Sequence, residues 1–457
     1  MNDPIKHVVV LTMENHSFDQ LLGWTKSIYP GLEGIDEKDP RGNSDYPDAK
    51  VVVKQSPSGS PNIACDPHHD VPDVLSQIEG NCGGFVANFA RSYPQSTPAE
   101  RAQIMSYFPK GSLPVIHTLA ENFMICDHWF ASLPGPTWPN RFFVHSGTCK
   151  GHIRMPQGLY IQNEHCYDQN TIYDELDKKQ IAWSIYHHGM PHTLLFSHLW
   201  VKPDHFHRIA GFFEDTQRPE EQFPQYVFIE PSYGGTDEND QHPPTDIYKG
   251  EYLVAQIYNA LRKNEGLWNS TLLVLLYDEH GGFYDHVVPP AAVPPDGDVS
   301  EYAFNQYGVR VPALLISPWV KKGFLNSIFD HTSLLKVLVE QWGLEPDRLG
   351  KRVEAANGFL PALRELTSPR TDTPPLFDLS TLVLPSPTLP TTTNEHQNAL
   401  VSFGHFLEQK MANVEELAGT GYRSLKSLDG ALAQLEVAKD RFLLFLHHGQ
   451  KGRLSPD

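Results

Sequence analysis

The chain has 457 residues, too many for one small core and enough for a large catalytic domain with an appendage. Lys and Arg total 36 against 55 Asp and Glu, and the formal charge of −19 argues against a broad basic face for nucleic acid or anionic membrane. The five cysteines (Cys65, Cys82, Cys126, Cys149 and Cys166) show no C-x-x-C spacing, so free thiols in a reducing compartment are expected, not a disulfide framework or a cysteine zinc site.

The first element is a strand. His7 to Met13 (HVVVLTM) is continuously apolar and runs straight into Glu14 and Asn15. The opening MNDPIKHVVV has no signal-peptide core, and the apolar runs are far shorter than the roughly 20 residues that cross a bilayer. A cytoplasmic or peripheral-membrane protein is therefore expected. Residues 25–110, rich in Gly, Pro, Asp and Ser, form a long excursion over one end of the fold, and such ordered excursions are usually functional. Residues 127–148 (DHWFASLPGPTWPNRFFVHSGT) place Thr137 between Pro136 and Trp138, where a helix start would present it to an anion. Strands are expected at 181–186 and 226–230, and a helix at 251–261. Thr271 to Tyr277 (TLLVLLY) repeats the pattern of the first strand and ends in Asp278 and Glu279; 311–317 (VPALLIS) is a third such run. Strands apolar on both faces belong to a mixed, mostly parallel sheet covered by helices on both sides, the α/β class. A helix at His331 to Trp342 follows Asp330, a good N-cap.

The domain plan is a catalytic unit over 1–366, a linker over 367–393 with six prolines, and a helical hairpin over 394–457. Leu400, Phe403, Leu407, Met411 and Val414 mark one amphipathic helix; Leu425, Leu428, Leu432, Leu435 and Phe442 mark the other. The hairpin packs on the catalytic unit or on a sister subunit in a homo-oligomer, or docks a membrane through 442–446.

Two strands ending in Glu14-Asn15 and Asp278-Glu279 bring three carboxylates and an amide oxygen to one end of a sheet, the end where ligands bind in α/β folds. Such a set needs a cation. Oxygen donors favour Ca²⁺, Mg²⁺ or Mn²⁺; a histidine in the shell would shift the preference to zinc or iron. A threonine hydroxyl becomes a useful nucleophile only when a metal or base activates it. Among 23 histidines, His69, His242, His188 and His286 sit in polar, turn-like settings where a proton donor would serve a departing alcohol.

Four motifs then carry a resemblance. Glu14-Asn15-His16-Ser17-Phe18-Asp19 resembles the ENRSFD signature of the non-specific phospholipase C and acid phosphatase A phosphoesterases, with His16 where the family has Arg. Residues 134–141 (PGPTWPNR), 277–287 (YDEHGGFYDHV) and 308–312 with 317–319 resemble its other signatures in order and spacing, over roughly residues 5–350. The resemblance implies an alkaline-phosphatase-like fold and one divalent ion held by Glu14, Asn15, Thr137, Asp278 and Glu279. It implies that Thr137 becomes phosphorylated, that His69 and His242 contact phosphate or protonate the leaving group, and, less directly, that His188 and His286 assist. The implied activity is phospholipase C action on glycerophospholipid, the alternative a broad acid phosphomonoesterase acting on small phosphate esters. A non-catalytic lipid-binding relative has no chemical need for all five ligands. A sulfatase would need a Cys-x-Pro-x-Arg turn, which is missing.

Overall fold

The computed structural model describes residues 3–415 and 439–442, apart from 62, 64, 157–166, 236, 298, 383 and 385–393. Its centre is an eight-stranded sheet. In chain order the strands are β1 (His7–Met13), β2 (Met124–Cys126), β3 (Trp183–His187), β4 (Phe206–Arg208), β5 (Tyr226–Glu230), β6 (Thr271–Tyr277), β7 (Ala313–Ile316) and β8 (Gly323–Leu325). Across the sheet they run β8-β2-β7-β6-β1-β5-β3-β4. All neighbours are parallel except β7, which is antiparallel to both β6 and β2. The apolar run at 311–317 could not reveal that reversal, because burial on both faces hides strand direction.

Every residue of β1 and β6 is buried, as their unbroken apolar sequences require. These two strands pair in register over their whole length, His7 with Thr271 through Met13 with Tyr277. The residues that follow, Glu14 and Asp278, therefore emerge side by side at the same sheet edge. Helices Ile247–Lys263 and His331–Trp342 form as expected, the latter capped by Asp330 in a reciprocal box with Ser333.

The excursion builds a small second core of its own. Val74, Ile78, Phe85, Val86, Phe89, Ile104 and Met105 close over Tyr284 and Val309, which belong to the third and fourth motifs. This clamps the segment bearing Asp66 and His69 above the strand ends.

The proline-rich stretch is pinned where it is described: Tyr258 Oη donates to the Pro374 carbonyl (2.7 Å), and Asn259 exchanges two hydrogen bonds with the Phe377 backbone (2.8 Å each). Beyond it, helix Glu395–Glu415 buries Ala399, Leu400, Phe403 and Leu407 against the catalytic unit. Residues 425–435 of the expected second helix and Cys166 lie outside the described residues; Cys65, Cys82, Cys126 and Cys149 are free thiols. Of the apolar run 442–446, Phe442 is described; it is buried, its ring 5.2 Å from that of Trp200. Among the described residues no helix is long and apolar enough to cross a membrane.

Candidate active site

The loop after β1 turns sharply at Asn15, whose φ of 60° is left-handed. Its backbone N–H donates to Asp278 Oδ1 (3.3 Å), and the His16 N–H donates to the Glu279 carbonyl (3.1 Å), stitching the two strand ends together. Two glycines make room for this. Gly281 (φ 62°) has no space for a side chain, since a Cβ would meet the Asn15 carbonyl at 2.3 Å. Gly282 (φ 74°) lets the Pro67–His68 backbone close in; a Cβ there would meet Pro67 at 2.7 Å. Asn15 and His69 are thus brought to one place by adjacent glycines.

Thr137 opens helix Thr137–Ser146 and is buried. Asn140 folds back on the preceding turn, donating to the carbonyls of Gly135 (2.8 Å) and Pro136 (3.2 Å), which fixes the helix start. Arg141 lies one turn on, at i+4, and so shares the face of Thr137. Its guanidinium meets Asp278 Oδ2 at 2.9 Å and Glu14 Oε1 at 3.2 Å. Thr137 thus lies at the positive end of its helix, on the face whose Arg141 reaches the strand ends.

The electrostatics follow from burial. Asp278 is pushed well above the ordinary carboxyl range by desolvation, with Glu14 and Glu279 adding to the push and Arg141 opposing it. Glu14 pays the same desolvation, yet His396 and Arg141 outweigh it and hold it low. Burial likewise disfavours the Glu279 carboxylate, but His69 and His280 hold it low. His69 is desolvated too, but Glu279 and Asp66 raise it to about 10. Its Nδ1–H donates to the Pro67 carbonyl (2.6 Å), so a proton on Nε2 faces Glu279 Oε1 at 3.5 Å. His16 is driven down to about 4 by burial.

His242 joins His69: their rings are 6.1 Å apart, and Asp66, His69 and His242 bring ligand atoms within 4.8 Å of one another. His242 Nδ1–H donates to the Pro243 carbonyl (2.7 Å). His188 stands at the rim, where Asn239 contacts its Nδ1 at 2.9 Å. His286 stands apart, its two nitrogens 2.8 Å from Asp19 Oδ2 and Glu33 Oε1. Asp19, Asp285 and His286 also cluster tightly, but the Arg310 guanidinium already fills that cluster, 3.0 Å from Asp19 and 2.9 Å from Asp285.

Glu14, Asp278 and Glu279 form no such close trio among the described residues, because Arg141 stands between the first two. Their environment nevertheless fits a cation. Glu14 Oε2, Asn15 Oδ1 and Glu279 Oε1 are buried without a hydrogen-bond partner, while Glu14 Oε1 is held by ion pairs to Arg141 and His396. Orphaned buried oxygens are costly, and three of them on two adjacent strand ends make a donor set of the kind hard divalent ions take.

A model of the phosphoesterase family matches residues 5–345. The chain belongs to the phosphoesterase family. It is 37% identical to non-specific phospholipase C3 of Arabidopsis thaliana over 407 residues, covering 81% of this chain and 75% of that one. Non-specific phospholipase C4 of the same plant is 35% identical (81% and 74% covered), and a non-hemolytic phospholipase C of Burkholderia pseudomallei 26% identical (82% and 61% covered). Among solved structures, the lipoteichoic acid synthase LtaP of Listeria monocytogenes aligns over 77% of this chain and 76% of its own, at 10% identity and a TM-score of 0.39. The protein is a hydrolytic phosphoesterase with an α/β fold.

Sequence reasoning passed over Arg141, Asp66, Tyr233 and His396. Arg141 had a readable signal, its i+4 spacing from Thr137. Tyr233 had none: it reaches the site by donating to Glu230 Oε2 (2.8 Å) while accepting from Arg141 (2.7 Å), a relay built by tertiary contact.

Proposed function

We propose that this phosphoesterase is a phospholipase C that cleaves glycerophospholipids to diacylglycerol and a phosphorylated headgroup, with Thr137 as the covalent nucleophile. The buried, unpartnered Glu14 Oε2, Asn15 Oδ1 and Glu279 Oε1 beside a helix that starts at Thr137 support this reading best. The likeness to named phospholipases C over four-fifths of the chain favours a lipid substrate over a soluble ester.

Glu14, Asn15, Asp278 and Glu279, with Thr137, would hold one divalent ion; when bound it supplies charge neutralisation at the phosphate and at the threonine oxygen. The protein's own part is positioning and proton transfer. Thr137 Oγ attacks phosphorus, forming the Oγ–P bond as the bond to the glycerol oxygen breaks. His69 or His242, each with Nδ1 tethered to a carbonyl, presents Nε2 to protonate the departing oxygen. Water then cleaves the Thr137–phosphorus linkage and frees the phosphorylated headgroup. Arg141 holds Asp278 and Glu14 on the side of Thr137.

Thr137→Ala should retain less than a few per cent of turnover with an unchanged circular dichroism spectrum and melting midpoint. Substantial residual turnover would remove Thr137 from the nucleophile role.

A further inference from the structure

The helix after the proline-rich stretch does more than cover the catalytic unit. Asn394 and Gln397 exchange hydrogen bonds at its start (Asn394 Oδ1 from Gln397 N–H, 2.7 Å; Gln397 Oε1 from Asn394 N–H, 3.2 Å), a reciprocal cap that fixes its first turn. Gln397 Nε2 donates to buried Glu238 Oε1 (2.8 Å), anchoring that turn beside the loop that carries His242. Between them, His396 is buried and points at the strand ends. Its Nδ1 lies 2.7 Å from Glu14 Oε1, and its ring packs 4.7 Å from Tyr233 and 6.4 Å from Trp138, the neighbour of Thr137. Apart from that ion-pair contact, neither ring nitrogen has a hydrogen-bond partner.

We propose that His396 is a positioning residue of the metal centre: it holds one oxygen of Glu14 so that the other is presented to the ion. This inference rests on the metal-centre reading above. A fully buried imidazole whose one polar partner is a buried carboxylate oxygen compensates that oxygen and fixes its direction, which an apolar ring could not do. Residues behind metal ligands commonly change metal affinity ten- to a hundredfold when altered.

The test is Mn²⁺ titration by calorimetry of the full chain after chelator dialysis. His396→Phe fills the volume without a nitrogen and should weaken Mn²⁺ binding at least about tenfold. His396→Gln keeps a donor and should stay within about threefold of the parent, on the same reasoning. Leu400→Ala loosens the same helix without touching Glu14; it should lower the melting midpoint and leave the Mn²⁺ affinity of the folded protein unchanged. Parental affinity in His396→Phe, or equal weakening in Leu400→Ala, would overturn the proposal while leaving the metal reading intact. A parent chain that binds no Mn²⁺ would overturn both.

Discussion

At the scale of single residues, the knot around Arg310 separates fold from chemistry. Arg310 is fully buried, bridges Asp19 and Asp285, and donates to the carbonyls of Glu33 and Asp127 (2.6 and 2.7 Å). Arg310→Met strands two buried carboxylates and should cost about 3–5 kcal/mol in denaturant unfolding. His286 belongs to the same knot. Burial opposes its charge, but Asp19 prevails and raises its pKa; Asp19 in turn is held low despite its burial, first by His286 and then by Arg310. A raised histidine contributes stability in full below its unfolded value of about 6.5 and loses it as pH climbs through the folded value; the lowered aspartate contributes above about 3.9. The stability lost in His286→Gln should therefore be greatest between about pH 4 and 6.5 and shrink by pH 9. A gap that does not vary between pH 6 and 9 would refute the ion pair. His286 shared its motif with Asp278 and Glu279, so sequence placed it near them; only the fold shows that it turns toward Asp19 instead.

At the scale of elements, the strands were the most legible part. Seven-residue apolar runs ending in Glu14-Asn15 and Asp278-Glu279 became β1 and β6, and their register carried Glu14 to Asp278. The segment after β6 depends on two glycines, and this gives a sharp test. In Gly281→Ala the new methyl group would collide with the Asn15 carbonyl in a left-handed backbone, costing on the order of 1–3 kcal/mol. Because Asn15 must move, kcat/KM should also fall at least about tenfold, a loss that a 1 Å misplacement readily produces. A variant that is destabilised yet fully active would show that Asn15 tolerates displacement. The helix at 395–415 was legible by its apolar spacing, but its polar first turn carried no sequence signal of the site. Nothing in a 3.6-residue period says that His396 passes under Trp138 to Glu14; that contact spans 382 residues of chain and exists only in the folded molecule.

At the scale of the whole molecule, the acidic surface and the buried site pull in different directions. A formal charge of −19 repels anionic lipid over a Debye length, about 8 Å at physiological salt. Mixing phosphatidylglycerol into phosphatidylcholine vesicles should therefore slow turnover at low ionic strength, and added salt should restore it. Salt-independent rates would mean that a local patch, not the net charge, governs the approach to lipid. Family membership was readable because four motifs keep their order and spacing. The relays through Tyr233 and His396 were not, because they join segments distant in sequence through packing alone.

The most direct test is product analysis with phosphatidylcholine and p-nitrophenyl phosphate in parallel, for the parent chain and Thr137→Ala, with and without chelator. The account predicts diacylglycerol and phosphocholine from the lipid, turnover faster than on the soluble ester, and loss of both activities in the variant and after chelation. Intact lipid with inorganic phosphate released from the soluble ester would contradict it and make the enzyme a phosphomonoesterase.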